Sequence, residues 1–193
     1  SQNILNFIRS LPEVEAVSAR YTLSARLEAN YKQRTRQTDK IESTGGIAAG
    51  INPIDENRLG KLSKYVIAGS YLEPDDYDQI LVGANMLYNY MPIESADVPV
   101  LKNVDVGSKV RFVMGDVSRE VTIKGVVKTK VGEIDQRIFM IDSEFKNLAE
   151  RYDGNVGEIA IRLKPGVSPE YIRDIIKNTG ADQYARVQTS AEG

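Results

Sequence analysis

Glu133 and Asp135 stand two residues apart in a polar island, Val131-Gly132-Glu133-Ile134-Asp135-Gln136-Arg137, and two carboxylates so spaced could divide an acid–base task between them. The 193 residues hold no histidine and no cysteine, so proton transfer would fall to carboxylates, lysine or tyrosine, and thiolate and imidazole metal sites are excluded. Nothing else in the island completes a catalytic site. It reads as an exposed loop tip in which Glu133, Asp135, Gln136 and Arg137 could contact a partner. Ser143-Glu144-Phe145-Lys146 carries the S-x-x-K of acyl-serine enzymes without its Ser-Asp-Asn and Lys-Thr-Gly companions, and a helix capped by Asp142 or Ser143 explains it better. Gly45-Gly46-Ile47-Ala48-Ala49-Gly50 lacks both the dinucleotide spacing and the Lys-Ser/Thr of a phosphate loop, so its glycines read as close packing in a strand. The acidic turn Glu73-Pro74-Asp75-Asp76-Tyr77-Asp78 has neither the central glycine nor the closing glutamate of a calcium loop. Lys32, Arg34 and Arg36 share one face of an extended, polar arm over 28–44, a solvated hairpin that could also dock a partner. The reading is therefore of a non-enzyme with no metal and no cofactor.

The elements that must carry these residues follow from periodicity. Ile4, Leu5, Phe7, Ile8 and Leu11 form a helical stripe that Pro12 ends. Val17, Ala19, Tyr21, Leu23, Ala25 and Leu27 then alternate with Ser18, Arg20, Thr22, Ser24 and Arg26, which predicts a strand with one buried and one solvated face. A strand runs to Ile51, Asn52-Pro53 breaks it, and 54–65 has helical spacing. Gln79 to Val82 is a strand turning at Gly83 into a helix, Lys109 to Met114 and Glu120 to Lys130 are strands joined at Gly115-Asp116, and Arg137 to Ile141 is a strand leading into a helix that ends near Tyr152. Residues 91–106 form an irregular connection. Near the end, Ile159, Ile161 and Leu163 mark a strand, and Ser168-Pro169-Glu170 starts a helix whose buried stripe is Tyr171, Ile172, Ile175 and Ile176. Gly180 stops it before a strand from Tyr184 to Thr189. The fold class is α+β. Residues 1–52 and 155–193 should form a sheet with two helices, and 53–154 a smaller, β-rich α+β insert.

A hydrophobic fraction of 41% suffices for a core, and a net charge of −2 gives no basic field for nucleic acid. No window reaches the roughly 18 apolar residues of a membrane span. The chain is expected to be a soluble piece of a longer protein.

The order of four segments resembles a known family: 50–59 (GINPIDENRL), 69–87 (GSYLEPDDYDQILVGANML), 106–112 (VGSKVRF) and 123–140 (IKGVVKTKVGEIDQRIFM). Together they resemble the extracytoplasmic core domain of MacB/FtsX/LolC-type ABC transporter permeases. The resemblance implies a domain on the extracytoplasmic face of the cell membrane, coupling ATP hydrolysis by a separate cytoplasmic ATPase to movement or docking of an external cargo or partner protein. It also implies a second permease copy, and possible adaptor proteins outside. The competing reading is a free-standing extracellular binding module that uses the Lys32–Arg36 arm or the Glu133–Arg137 tip.

Overall fold

The computed structural model describes residues 2–32, 41–93, 97, 99–149, 157–178 and 186–190. In chain order the elements are α1 (Gln2–Ser10), β1 (Val14–Ala29), β2 (Glu42–Ile51), α2 (Pro53–Gly60), β3 (Val66–Gly69), β4 (Gln79–Gly83), β5 (Lys109–Met114), β6 (Val117–Val127), β7 (Arg137–Ile141), α3 (Asp142–Ala149), β8 (Gly157–Leu163), α4 (Pro169–Asn178) and β9 (Arg186–Ser190). The class is α+β, as expected, and the sheet is mixed.

The alternating stretch forms the longest strand, β1, and its sixteen residues take part in two structures. Val14 to Tyr21 pair antiparallel with β8, which pairs parallel with β9. Arg20 to Ala29 pair with β2, and Arg26 to Glu28 pair with β5 along the opposite edge. From there the ladder runs β2, β7, β4, β6, β5 and back to β1, so six strands close into a ring without free edges. Two of its junctions, β2 with β7 and β4 with β6, are parallel.

A ring this small is filled by its own side chains. Leu27, Ile80, Phe112, Ile123, Ile138 and Met140 meet inside it. Outside, Ala49, Ile51, Leu81, Phe139 and Ile141 pack beneath Leu62 and Leu72. Strands β4 and β7 are thus covered on both faces, which is why they read as unbroken apolar runs instead of alternating. A third cluster joins α1 and α4 to the first half of β1 and to β8 through Ile8, Val17, Ile159, Ile161 and Ile172.

Several local expectations change. Tyr171 is 55% exposed and lies outside the buried stripe, where Val167 and Ile175 flank Ile172 instead. The helix expected after Gly83 is a single 3-10 turn, Ala84–Met86, because Met86 and Leu87 turn into the ring's core and Leu87 bridges to Leu101. The helix over 54–65 is interrupted at Lys61, which sits at φ 53° and splits it into α2 and a 3-10 turn, Leu62–Tyr65. Strand β6 begins at Val117, pairing with Met114 across Gly115-Asp116. Asn52 caps α2, its side chain accepting from the N–H groups of Ile54 and Asp55 at 3.0 and 3.1 Å.

Candidate functional site

Tyr31 and Lys32, just past the end of β1, are held to Glu120 of the β5–β6 hairpin. Lys32 Nζ lies 2.5 Å from Glu120 Oε2, and the Tyr31 hydroxyl donates to the same oxygen at 2.5 Å. Burial and that carboxylate together push the Tyr31 hydroxyl up to about 12. Arg111 stacks 4.7 Å from the Tyr31 ring centroid and donates to Glu28 at 2.7 Å. Arg34 and Arg36 lie outside the described residues.

The 131–137 island is exposed over Val131, Gly132 and Glu133, as expected of a tip, and turns inward from Asp135. Asp135 is buried, its Oδ1 accepting from the Thr129 N–H at 2.7 Å and the Thr129 hydroxyl at 2.9 Å. Gln136 Nε2 donates to the Gly45 carbonyl at 3.0 Å. Arg137 is buried, 3.5 Å from Glu158 and 3.7 Å from Glu133, whose side chain is 74% exposed. The two carboxylates therefore face different surroundings, Asp135 inward and Glu133 toward solvent. They present no shared position for a reacting atom.

Around the S-x-x-K motif, Ser143 is exposed and Lys146 lies 4.5 Å over the Tyr21 ring. Glu144 between them is fully buried. It accepts from the Asp78 N–H at 3.0 Å and from Arg119 at 3.2 Å, and burial pushes its carboxyl up despite both bonds. A carboxyl raised in the folded state contributes stability that is full below the unfolded pKa and lost as pH rises through the folded one. Glu144→Gln, neutral at every pH, should therefore gain on the parent as pH climbs from about 4.5 toward neutrality. Urea midpoints of both proteins from pH 4 to 8 check this; a constant gap would contradict it. In the acidic turn, Asp76 accepts from the Glu73 N–H at 2.7 Å and pairs with Lys124. Among the described residues no three acidic side chains gather as a metal site.

The sequence does not reveal the densest polar cluster. The face of β1 that alternation assigns to solvent is roofed at Ser18 and Arg20 by α2, whose inward residues are Pro53, Glu56 and Leu59. Glu56 receives Arg20 in a two-pronged contact, Nη2 at 2.5 Å and Nε at 3.0 Å, and the Ser18 hydroxyl at 2.8 Å. Arg20 Nη1 reaches Glu158 of β8 at 3.6 Å, the carboxylate that Arg137 of β7 also approaches. Burial alone would lower the Arg20 guanidinium, but Glu56 and Glu158 more than reverse this and keep it charged. Arg162 of β8 donates to the Leu59 carbonyl at 3.1 Å, holding the end of α2. Two cations and two anions so arranged hold structure together and offer no nucleophile. The cluster sits where β1 passes from its pairing with β8 into the ring.

No described helix is long and apolar enough to cross a membrane. The crystal structure of the extracellular domain of the noncanonic ABC-type transporter YknZ from Gram-positive bacteria matches this fold with a TM-score of 0.58, covering 93% of this chain and 83% of that one at 14% identity. At that identity the likeness is one of fold alone. No curated protein matches in sequence. Residues 2–179 match the family described as MacB-like periplasmic core domain, and the chain belongs to it.

Proposed function

We propose that this chain is a non-catalytic extracytoplasmic domain of an ABC transporter permease that carries movement from a cytoplasmic ATPase to an external cargo or partner protein. The observation that carries the reading is β1. Its first half pairs with β8, which pairs with β9, and α1 packs against these strands, so the first and last described elements belong to one small unit, and its second half is a stave of the closed ring. At about 3.3 Å per residue its length is roughly 50 Å. Displacement of α1 or β9 would therefore reach the ring through continuous, hydrogen-bonded backbone. In this reading the two units are redrawn: the expected boundary at Asn52-Pro53, with 1–52 and 155–193 against 53–154, moves to a seam inside β1 near Tyr21, because β2 pairs with β7 and with the second half of β1 as part of the ring. Family membership supports the placement outside the membrane, with the ATPase reached through the permease's membrane helices and a second permease copy alongside.

Spin labels on the full-length protein, reconstituted with its ATPase, test the reading. A label at exposed Lys109 should change its distance to the same label in the second copy by several ångström on nucleotide trapping. A pair at Asn6 and Lys109 within one copy should hold its distance. An inter-copy distance indifferent to nucleotide would sink the coupling.

A further inference from the structure

We infer that Glu144 and Asp78 form a proton-operated latch between α3 and the entrance to β4, closed in acid and loosened toward neutral pH. Glu144 sits in the first turn of α3 and is fully buried, and both its oxygens accept from the Asp78 N–H, at 3.0 and 3.2 Å. Arg119 of β6 donates to Glu144 at 3.2 Å and stands 3.7 Å from the Asp78 carboxylate. One guanidinium therefore serves two carboxyl groups brought from separate elements. With both ionised the site holds one negative charge too many, and it falls on a side chain that water cannot reach. A proton on Glu144 removes the excess and leaves an O–H that donates to the Asp78 carboxylate.

The other cations of the elements around Glu144 are engaged. Lys124 holds Asp76 of the same turn, and Lys146, two residues on in α3, lies over the Tyr21 ring. On the strands beneath α3, Arg20 pairs with Glu56, Arg26 with Glu28 and Arg137 with Glu158. Asp142 at the start of α3 adds a further negative charge on the same helix end. The backbone also favours release. Asp78 is held at φ 59°, a left-handed conformation costly to any residue but glycine, and opening relieves it. The Asp78 side chain is already 58% exposed and can turn to water, while the Thr122 N–H, donating to the Asp78 carbonyl at 2.8 Å, marks the fixed end of the movement. Lys146 places the latch beside Tyr21 at the seam of β1, so its state bears on how firmly α3 is held there. That consequence, and the value of sensing external acidity, rest on the function proposed above; the latch itself does not.

Burial first, and Asp78 after it, hold the Glu144 carboxyl above the ordinary glutamate range in the closed state, and opening lets water return it to about 4.5. Closure is therefore fully favoured below about 4.5 and is lost as pH rises through the raised value. Amide exchange of the 193-residue chain from pH 4 to 8, divided by the rates of an unstructured peptide, tests this without ATPase or second copy, so it can fail separately from the coupling reading. Protection of the Asp78 amide should be constant near pH 4, fall by up to about tenfold per pH unit, then level off. Low urea should leave that exchange unchanged, the mark of a local opening. Glu144→Gln, which cannot gain charge, should abolish the pH dependence. Asp78→Asn, which keeps a side chain that tolerates φ 59°, should shorten the range over which protection falls. A flat profile in the parent, a profile unchanged in either variant, or exchange that quickens with urea as steeply as that of the β4 and β7 amides would each overturn the latch.

Discussion

Gly83→Ala is expected to cost about 3 kcal/mol of folding stability, the upper range for forcing atoms into a filled interior. A Cβ at this position would stand 2.1 Å from the Asp135 carbonyl oxygen and 2.2 Å from its carbon. Those are backbone atoms and cannot swing aside. The next two pairs of the β4–β7 ladder, Val82 with Ile138 and Leu81 with Phe139, fix the spacing of the strands, so relief requires lifting the 134–136 turn and with it buried Asp135. Gly46 of β2 meets the same turn, its Cβ falling 2.1 Å from the Gln136 carbonyl. Gly46→Ala should therefore cost a similar amount, and the double variant less than the sum, because one displacement of the turn relieves both. Gly60→Ala is the control. Nothing lies within 4 Å of a Cβ there, and in a helix alanine gains up to about 1 kcal/mol over glycine. Urea unfolding of the four variants decides the matter; a Gly83→Ala midpoint matching the parent's would mean the turn is not seated as described.

Those two glycines are the signal for the inward half of the 131–137 island, which the sequence reading places in solvent. An acidic residue in a polar, turn-like stretch is ordinarily solvated, so Glu133 to Arg137 reads as a tip. What buries Asp135 is space left by the missing side chains on two strands, Gly46 and Gly83, far away in sequence. Sequence pattern reaches only what one element's own periodicity states. The stripes of α1 and α4 were legible around Ile8 and Ile172, and β1 was legible because one face enters a core. That Ser18 and Arg20 are covered as well depends on α2, more than thirty residues on, and alternation says only that two faces differ. Tyr171 failed for the opposite reason, since its spacing fits the stripe yet it is exposed beside the buried Ile172. The helix expected after Gly83 was overridden by burial of Met86 and Leu87, a tertiary demand that local propensity cannot register.

Glu56→Ala should be as damaging, about 3 to 5 kcal/mol, the cost of removing one partner from a buried ion pair. Only 5% of the Glu56 side chain and 17% of that of Arg20 are exposed, so water cannot replace the lost carboxylate. Arg20 would be left with Glu158 at 3.6 Å, and the Ser18 hydroxyl would lose its acceptor. The size of that penalty is a property of the orphaned charge and not of the pair's net worth. Glu56→Leu with Arg20→Met, which removes both charges and fills their volume, should accordingly recover most of that loss, the remainder being the Ser18 hydroxyl without its acceptor and Glu158 without Arg20. If the double variant is as unstable as the single one, the cluster stabilises by more than mutual compensation. If it is stable, it becomes the informative protein for coupling. Ser18, Arg20 and Glu158 lie where β1 leaves β8 for the ring, and α2 is tied there through Glu56 and Arg162. A clamp that matters only for folding leaves the label movement at Lys109 intact in the double variant. A clamp that holds the seam rigid reduces that movement while the urea midpoint stays near the parent's, and the proposal of a mechanical path through β1 expects the second result.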